Sequence, residues 1–157
     1  MCGIIGISSN KSVSSSIINS LKKLEYRGYD SAGIATLSGG FINEVKSEGR
    51  VENLENNFDL KNLSGNIGIG HVRWATHGVP NSVNAHPHSS DNVSVVHNGI
   101  IENSTILKKH LINKGHTFKS QTDTEVIVHL ITENLKIMEL EEAITKTLKQ
   151  LHGSFAL

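Results

Sequence analysis

The chain has 157 residues, with 15 Lys and Arg against 15 Asp and Glu, a single cysteine and 37% apolar residues. This composition is typical of a globular domain and excludes a disordered chain, a disulfide framework and a membrane-spanning helix. The zero net charge and the lack of long like-charge runs predict neither nucleic acid nor a membrane surface as a partner. No secretory signal precedes the cysteine, so we expect a cytoplasmic protein.

The first half of the chain predicts two helices and three strands. The apolar run at residues 2–7 is typical of a strand that is buried on both faces. Apolar residues at helical spacing from Val13 to Leu24 predict a helix that Ser12 caps and Gly28 ends. Ser38-Gly39-Gly40 predicts a hairpin turn between strands at 33–37 and 41–46, and residues 51–65 predict a short helix and a loop.

The second half predicts strands at 67–72 and 93–96, separated by a connection at 73–92 whose length favours a functional loop. Helices are expected from Ser104 to Gly115, from Asp123 onward and at 140–151. A final strand begins near His152, and we expect the native chain to continue beyond Leu157. The order of these elements predicts one domain that contains both helices and strands.

The single cysteine stands at position 2, directly after Met1. An isolated cysteine is often no more than a small buried apolar side chain. Removal of Met1, however, would give Cys2 a free α-amine with an unperturbed pKa of about 7.7 to 8.0, part of which stays neutral and can accept the thiol proton. Cys2 is therefore a candidate nucleophile that carries its own base.

Five histidines fall within a 27-residue window, a density that also occurs in metal sites. His86, His88, Asp91 and His97 resemble the cupin metal motif of two histidines separated by one residue, followed by a carboxylate and a later histidine. The carboxylate here is Asp rather than Glu, and it comes early. A cupin-like metal protein is thus one alternative, and hydrogen-bonded loop and core histidines are the other.

Three further positions carry groups that suit a free amino acid as ligand. Arg73 can bind a carboxylate through two hydrogen bonds, or it can be an ordinary surface or ion-paired arginine. Asp123 offers the opposite charge, and its alternative role is a helix N-cap. Asn98 and Gly99 place a side-chain amide beside a backbone N–H, which suits either an oxyanion hole or a hairpin turn.

Six motifs occur in order along the whole chain. They are Cys2 to Gly6, Glu25 to Gly33, Arg73 to Gly78, Asn84 to His88, His97 to Asn103 and Thr122 to Glu125. The series resembles the glutaminase domain of the isomerising glutamine:fructose-6-phosphate aminotransferases, or glucosamine-6-phosphate synthases, which are class II N-terminal-nucleophile amidotransferases. Tyr-Arg-Gly-Tyr-Asp at 26–30 and Arg-Trp-Ala-Thr-His-Gly at 73–78 favour this family over the phosphoribosyl amidotransferases, the related alternative.

The resemblance implies hydrolysis of L-glutamine to glutamate and ammonia. Cys2 would attack the side-chain amide carbon, its own freed amine would handle the proton, and Asn98 with the Gly99 N–H would stabilise the oxyanion. Ammonia would leave, and water would convert the thioester to glutamate.

The resemblance also implies the substrate contacts. Arg73 would hold the α-carboxylate of glutamine and Asp123 its α-ammonium group, while Thr76 and His77 would complete the pocket. Trp74 would help to close the site against water and to gate the route of ammonia. Neither a metal nor an organic cofactor is implied.

The fold implied by the resemblance is α+β, a four-layer αββα sandwich of the N-terminal-nucleophile hydrolase type. Residues 2–157 would form a glutaminase domain that is incomplete at its C-terminal end, with the family's sugar-isomerase domains absent. In the family, those domains bind fructose 6-phosphate and use the ammonia to make glucosamine 6-phosphate, on the way to UDP-N-acetylglucosamine. The full-length enzyme would be a homodimer.

Overall fold

The computed structural model describes residues 2–60, 63–75, 78–90 and 92–157, and it divides the chain into two compact units, Met1–Pro87 and His88–Leu157. Helices and antiparallel sheets occur together, which confirms the α+β class. The first unit contains β1 (Gly3–Ser8), α1 (Ser14–Leu24), β2 (Ser31–Ser38), β3 (Phe41–Glu48), α2 (Val51–Asn57) and β4 (Ile67–Arg73).

The four strands of the first unit form one antiparallel sheet in the order β1-β4-β2-β3. Gly39 and Gly40 have φ angles of +57° and +85°, the left-handed conformation that a tight turn needs, and they join β2 to β3 as predicted. Gly3 pairs with Val72, and Ser31 pairs with Arg73. This register brings the segments that contain Cys2, Ser31 and Arg73 together at one end of the sheet, although they are far apart in sequence.

Two local predictions for the first unit are wrong. β1 lies at the edge of the sheet, so its isoleucines are only half-buried rather than buried on both faces. Helix α1 begins at Ser14, and its N-cap position is Val13 with no side-chain cap. Ser12 therefore does not cap it, and a short 3-10 turn at Glu25–Arg27 continues the chain from α1 to Gly28.

The core of the first unit lies between the sheet and helices α1 and α2. The helical spacing of apolar residues in α1 places one face of that helix against the strands, as the sequence predicts. The buried residues of this core come from α1, β2, α2, β4 and the adjoining loops: Val13, Ile17, Ile18, Leu21, Ala32, Ile34, Val51, Leu54, Leu63 and Val72.

The second unit contains two short antiparallel ladders and three helices. Its elements are β5 (His88–Ser90), β6 (Val93–Val95), β7 (Asn98–Ile101), α3 (Ser104–Asn113), α4 (Thr124–Leu135), α5 (Leu140–Gln150) and β8 (Gly153–Ala156). β5 pairs with β6, and β7 pairs with β8. The predicted connection at 73–92 therefore contains a strand that the sequence pattern did not show.

Helix α4 forms the centre of the second unit's core. Its sequence is apolar on most of its circumference, and every residue from Thr124 to Thr132 is buried. The apolar residues packed with it come from β6, β7, α3 and Leu151. Elements on several sides therefore hold α4 in place, together with the polar residues that it carries.

Glu125, in the first turn of α4, fixes the loop before the helix. Its carboxylate accepts hydrogen bonds from the backbone N–H groups of Lys119 and Ser120, at 2.8 and 2.7 Å, and from the Ser120 hydroxyl at 2.7 Å. Burial raises the pKa of Glu125, but these bonds and a contact with His129 outweigh it and lower that pKa to about 2.

We expect Glu125→Gln to lower the free energy of unfolding at pH 7 by about 3 kcal/mol, since each unit of pKa shift corresponds to about 1.4 kcal/mol. The folded-state pKa lies below the unfolded value, so this stabilisation is present above about pH 4.5 and is lost as the pH falls through about 2. Urea unfolding at pH 7 measures the loss of stability in the variant, and urea unfolding near pH 2 measures whether that loss disappears. Glu142→Gln, on the exposed side of α5, should change stability by less than about 0.5 kcal/mol; an equal loss in the two variants would contradict the prediction.

Candidate active site

Cys2 lies at the open end of β1, where the register of the sheet brings it beside the end of β4. Its Sγ is 3.3 Å from the backbone N of Trp74, which donates its hydrogen to the sulfur, and 3.6 Å from the Trp74 carbonyl oxygen. The Arg27 Nε donates to the Cys2 carbonyl at 3.1 Å. The cysteine is half-buried, so both its sulfur and its backbone are held while part of the residue still faces solvent.

The segment Gly28 to Asp30 supports the backbone at the end of β4. A Cβ on Gly28 would lie 2.6 Å from both the carbonyl carbon and the oxygen of Arg73, so only glycine permits this approach. The Asp30 N–H donates to the Arg73 carbonyl at 3.1 Å, and the Asp30 carboxylate accepts the N–H of Ala75. We call residues 28–30 the cradle, since they fix the peptides on both sides of Trp74.

Arg73 and Trp74 point to different environments. Arg73 is the last residue of β4 and is buried, with 4% of its surface exposed. The Trp74 side chain is half-exposed and packs edge-on against Tyr29, with ring centroids 5.9 Å apart. Thr76 and His77, which the sequence predicts as pocket residues, lie outside the described residues.

Asn98 and Gly99 begin strand β7 and do not form a hairpin turn, so that alternative is wrong. The Glu102 N–H donates to the His152 carbonyl, and in an antiparallel ladder the N–H groups alternate between the two edges of a strand. The N–H groups of Asn98 and Ile100 therefore point towards β8, whereas the N–H groups of Gly99 and Ile101 point to the opposite edge.

Gly99 occupies a position where a Cβ atom would collide with strand β8. Its φ is +124°, and a Cβ there would lie 2.1 Å from the Ser154 carbonyl oxygen and 2.7 Å from the Phe155 Cα. Because β8 approaches this closely, β7 keeps its outward N–H at residue 99 only with glycine in place.

Asp123 occupies the N-cap position of α4, but its side chain does not cap the helix. Its Oδ2 accepts the Ile101 N–H at 2.8 Å, on the same edge of β7 as the Gly99 N–H. Its Oδ1 is 3.8 Å from Nδ1 of His97, and the side chain is 23% exposed. The N-cap alternative is therefore wrong for the carboxylate, which is fixed to β7 and stays partly open to solvent.

His97 supports this carboxylate from the buried side. Its Nδ1 lies 2.9 Å from the Thr124 hydroxyl. Burial lowers the pKa of His97, and the nearby Asp123 charge opposes that effect. Burial thus favours the neutral form of His97 beside the Asp123 carboxylate.

The sequence did not predict four contributors to the surroundings of Cys2 and of Asp123: Arg27, Gly28, Asp30 and the N–H of Ile101. Arg27, Gly28 and Asp30 lie in one motif of the resemblance and Ile101 in another, but the resemblance assigns none of them a role in the site. Spatial proximity of residues 28–30 to Arg73 follows only from the β2-β4 register, which the sequence pattern does not reveal.

The histidines of the cupin alternative have other partners. His88 Nε2 lies 2.9 Å from the Thr122 hydroxyl, and the His86 ring packs on His71 with centroids 4.2 Å apart. Asp91 lies outside the described residues. Among the residues that the structure describes, no three His, Cys, Asp or Glu side chains form a group that could hold a metal ion. Nor does any described helix have the length and apolar character to cross a membrane.

Comparison with protein families finds a match between residues 71–157 and the family described as "Glutamine amidotransferase domain". Among curated proteins, glutamine–fructose-6-phosphate aminotransferases (isomerizing) from Mesorhizobium japonicum and Pyrococcus horikoshii are 53% and 54% identical over the whole chain. The chain spans about a quarter of the length of these relatives, 26% and 27% respectively.

Solved structures agree with this result. A glutamine phosphoribosylpyrophosphate amidotransferase from B. subtilis, complexed with ADP and GMP, superposes with a TM-score of 0.86 and 31% identity. An allosteric regulatory enzyme of purine biosynthesis superposes with the same TM-score and 30% identity. Each comparison covers 99% of this chain and 34% of the other. The fold is that of the N-terminal-nucleophile amidotransferases.

Proposed function

Because the chain belongs to the glutamine amidotransferase domain family, we propose that it hydrolyses L-glutamine to glutamate and ammonia, with Cys2 as nucleophile. The contact that best supports this is the Trp74 N–H at 3.3 Å from the Cys2 sulfur. That donor places a partial positive charge beside the atom that must become a thiolate. Removal of Met1 is part of the proposal, since it frees the amine that takes the thiol proton.

In the proposed reaction, the sulfur of Cys2 attacks the amide carbon of the glutamine side chain. Negative charge then develops on the amide oxygen, and we assign the Asn98 side chain and the Gly99 N–H as its donors. The tetrahedral intermediate collapses with loss of ammonia, for which the Cys2 amine supplies the proton. Water attacks the resulting thioester and releases glutamate, which restores the thiol.

The edge of β7 supports the assignment of the substrate's polar groups. The N–H groups of Gly99 and Ile101 are two residues apart, or about 7 Å along the strand. The chain of bonds from the amide carbon of glutamine to its α-nitrogen spans about 5 Å. An amide oxygen near Gly99 would thus leave the α-ammonium group within reach of Asp123, whose Oδ2 is bonded to Ile101. Arg73 is assigned to the α-carboxylate, with Thr76, His77 and Trp74 completing the pocket.

The ammonia is proposed to serve the conversion of fructose 6-phosphate to glucosamine 6-phosphate in a longer protein with sugar-isomerase domains. Identity of 53% to aminotransferases of that name, against 31% to a phosphoribosylpyrophosphate amidotransferase, supports this over the alternative. The homodimeric state of the full-length enzyme and the cytoplasmic location remain predictions from the sequence.

A labelling experiment tests the glutaminase proposal. A glutamine-analogue electrophile, 6-diazo-5-oxo-L-norleucine, should add one equivalent to Cys2 in protein whose intact mass shows loss of Met1, and glutamine should protect against it. In Asp123→Asn, labelling by the analogue should slow about 100-fold, because a hydrogen bond between charged groups contributes up to about 3 kcal/mol. The asparagine oxygen can still accept the Ile101 N–H, so the fold should be kept.

Iodoacetamide provides the control, because it reacts with the thiol and has no α-ammonium group. Its rate with Cys2 should be the same in the Asp123→Asn variant and the parent chain. Label on residues other than Cys2, or no protection by glutamine, would disprove the proposed function. Equal slowing with both reagents would remove Asp123 from the substrate site.

A further inference from the structure

A second pocket lies in the unit of residues 88–157, and it shares no residue with the proposed glutamine site. Its volume is about 430 Å³, within the range of about 300 to 1,000 Å³ typical of small-molecule sites. Residues of β5, of the loop that follows α3 and of one face of α4 line it. Three of them are lysines: Lys114, Lys119 and Lys136.

Two buried polar atoms on α4 lack hydrogen-bond partners among the described residues, and both belong to side chains that line this pocket. They are the Thr132 hydroxyl oxygen and the Nε2 of His129, in side chains that are 8% and 7% exposed. The two residues are three apart, so they share a face of the helix. Buried polar atoms are nearly always hydrogen-bonded, and a ligand in the pocket would supply the partner that the Thr132 hydroxyl lacks.

Two histidines of the pocket lining lie against each other and close to carboxylates. His116 and His129 face each other with Nδ1 atoms 3.1 Å apart, so one of these two nitrogens must carry a hydrogen. The outer nitrogens face carboxylates: His116 Nε2 lies 2.9 Å from Glu133 and His129 Nε2 lies 3.6 Å from Glu125.

The cations around the pocket outnumber the anions. Three lysines stand against the carboxylates of Glu125 and Glu133, which leaves one positive charge. Lys114 and Lys136 already contact Glu133, at 3.2 and 2.7 Å. Lys119 has no such ion pair among the residues that the structure describes, so it is available to a ligand.

We propose that this pocket binds a small organic phosphate monoester, with its phosphate group on Lys119 and the hydroxyl of Thr132. Such a group carries a charge of about −1.5 to −2 at pH 7, so it is attracted to the lysines of the pocket more strongly than a singly charged carboxylate is. Its several acceptor oxygens suit donors that lie on different walls. Ser90, which also lines the pocket, carries a further hydroxyl donor.

Isothermal titration calorimetry on the 157-residue chain tests the proposal, with glycerol 3-phosphate, inorganic phosphate and acetate as probes. We expect saturable binding of one glycerol 3-phosphate per chain, weaker binding of inorganic phosphate and none of acetate at the same concentrations. Lys119→Ala and Thr132→Val should each raise the Kd about tenfold. Lys146→Ala, an exposed lysine of α5 outside the pocket, should leave the Kd unchanged.

Thr132→Val also separates binding from folding. Valine has the same shape and removes a buried hydroxyl without a hydrogen-bond partner among the described residues, so the Tm of the ligand-free chain should stay the same or rise while phosphate binding weakens. The proposal is wrong if acetate binds as tightly as glycerol 3-phosphate, if Lys146→Ala weakens binding as much as Lys119→Ala, or if no probe gives saturable binding at millimolar concentrations.

Discussion

Cys2→Ala is expected to abolish glutamine hydrolysis, with kcat reduced by at least about 10⁴-fold in protein that has lost Met1. The loss is large because the variant keeps the α-amine but lacks the atom that forms the thioester, and removal of a catalytic nucleophile costs up to about 10⁶ in kcat. Release of glutamate from glutamine, measured with a coupled dehydrogenase assay, gives the rate.

The structure provides a control for this variant. Cys2 is half-buried, and neither the bond from Arg27 to its carbonyl nor the bonds from Asp30 to the peptides around Trp74 involve the sulfur. The Tm of Cys2→Ala should therefore lie close to that of the parent chain. Hydrolysis within tenfold of the parent rate would exclude Cys2 as the nucleophile, whatever the Tm.

Gly99→Ala is expected to damage both stability and hydrolysis. The new Cβ would lie 2.1 Å from the Ser154 carbonyl oxygen, so β7 and β8 must separate, and alanine at a φ of +124° is strained in addition. We expect a loss of about 3 kcal/mol in the free energy of unfolding and at least a 100-fold loss of kcat, since removal of one oxyanion donor costs about 10² to 10³. Urea unfolding and the glutaminase assay measure the two effects.

Gly115→Ala isolates the contribution of backbone strain. Gly115 also has a positive φ, +91°, but a Cβ there meets no atom within 4 Å. This variant should lose only about 1 kcal/mol and keep its rate of hydrolysis. Equal destabilisation by the two substitutions would show that contact with β8 is unimportant, and an unchanged kcat in Gly99→Ala would remove the Gly99 N–H from the oxyanion site.

The sequence could predict those parts of the fold that local pattern determines. The spacing of apolar residues in α1 and α4, the two glycines between β2 and β3, and the stop at Gly115 all lead to elements that the structure contains. Strand β5 is His-Ser-Ser and has no apolar residue, whereas β6, which is equally short, has the valines that predict a strand. Ser12 was expected to cap α1, but the helix begins two residues later, and Ser14 instead bonds to the Leu63 carbonyl across the unit.

Site residues could be proposed from sequence because the motifs are specific, but their supporting contacts could not. Asp123 has the residue type and position of an N-cap, and only tertiary structure directs its carboxylate to the Ile101 N–H instead. The burial of Gly28 against Arg73 is likewise a consequence of strand register. In both cases a backbone contact from a distant segment, rather than the local sequence preference, determines the position of the residue.

The cradle has a kinetic consequence for the proposed reaction. Residues 28–30 hold the peptides on either side of Trp74, and the N–H between them contacts the Cys2 sulfur. A movement of the Trp74 backbone that admits or releases a molecule would therefore change the hydrogen bonding of the nucleophile in the same event. Opening would coincide with a less activated thiol, which would protect Cys2 from oxidants and other electrophiles during the interval when it is most accessible to them.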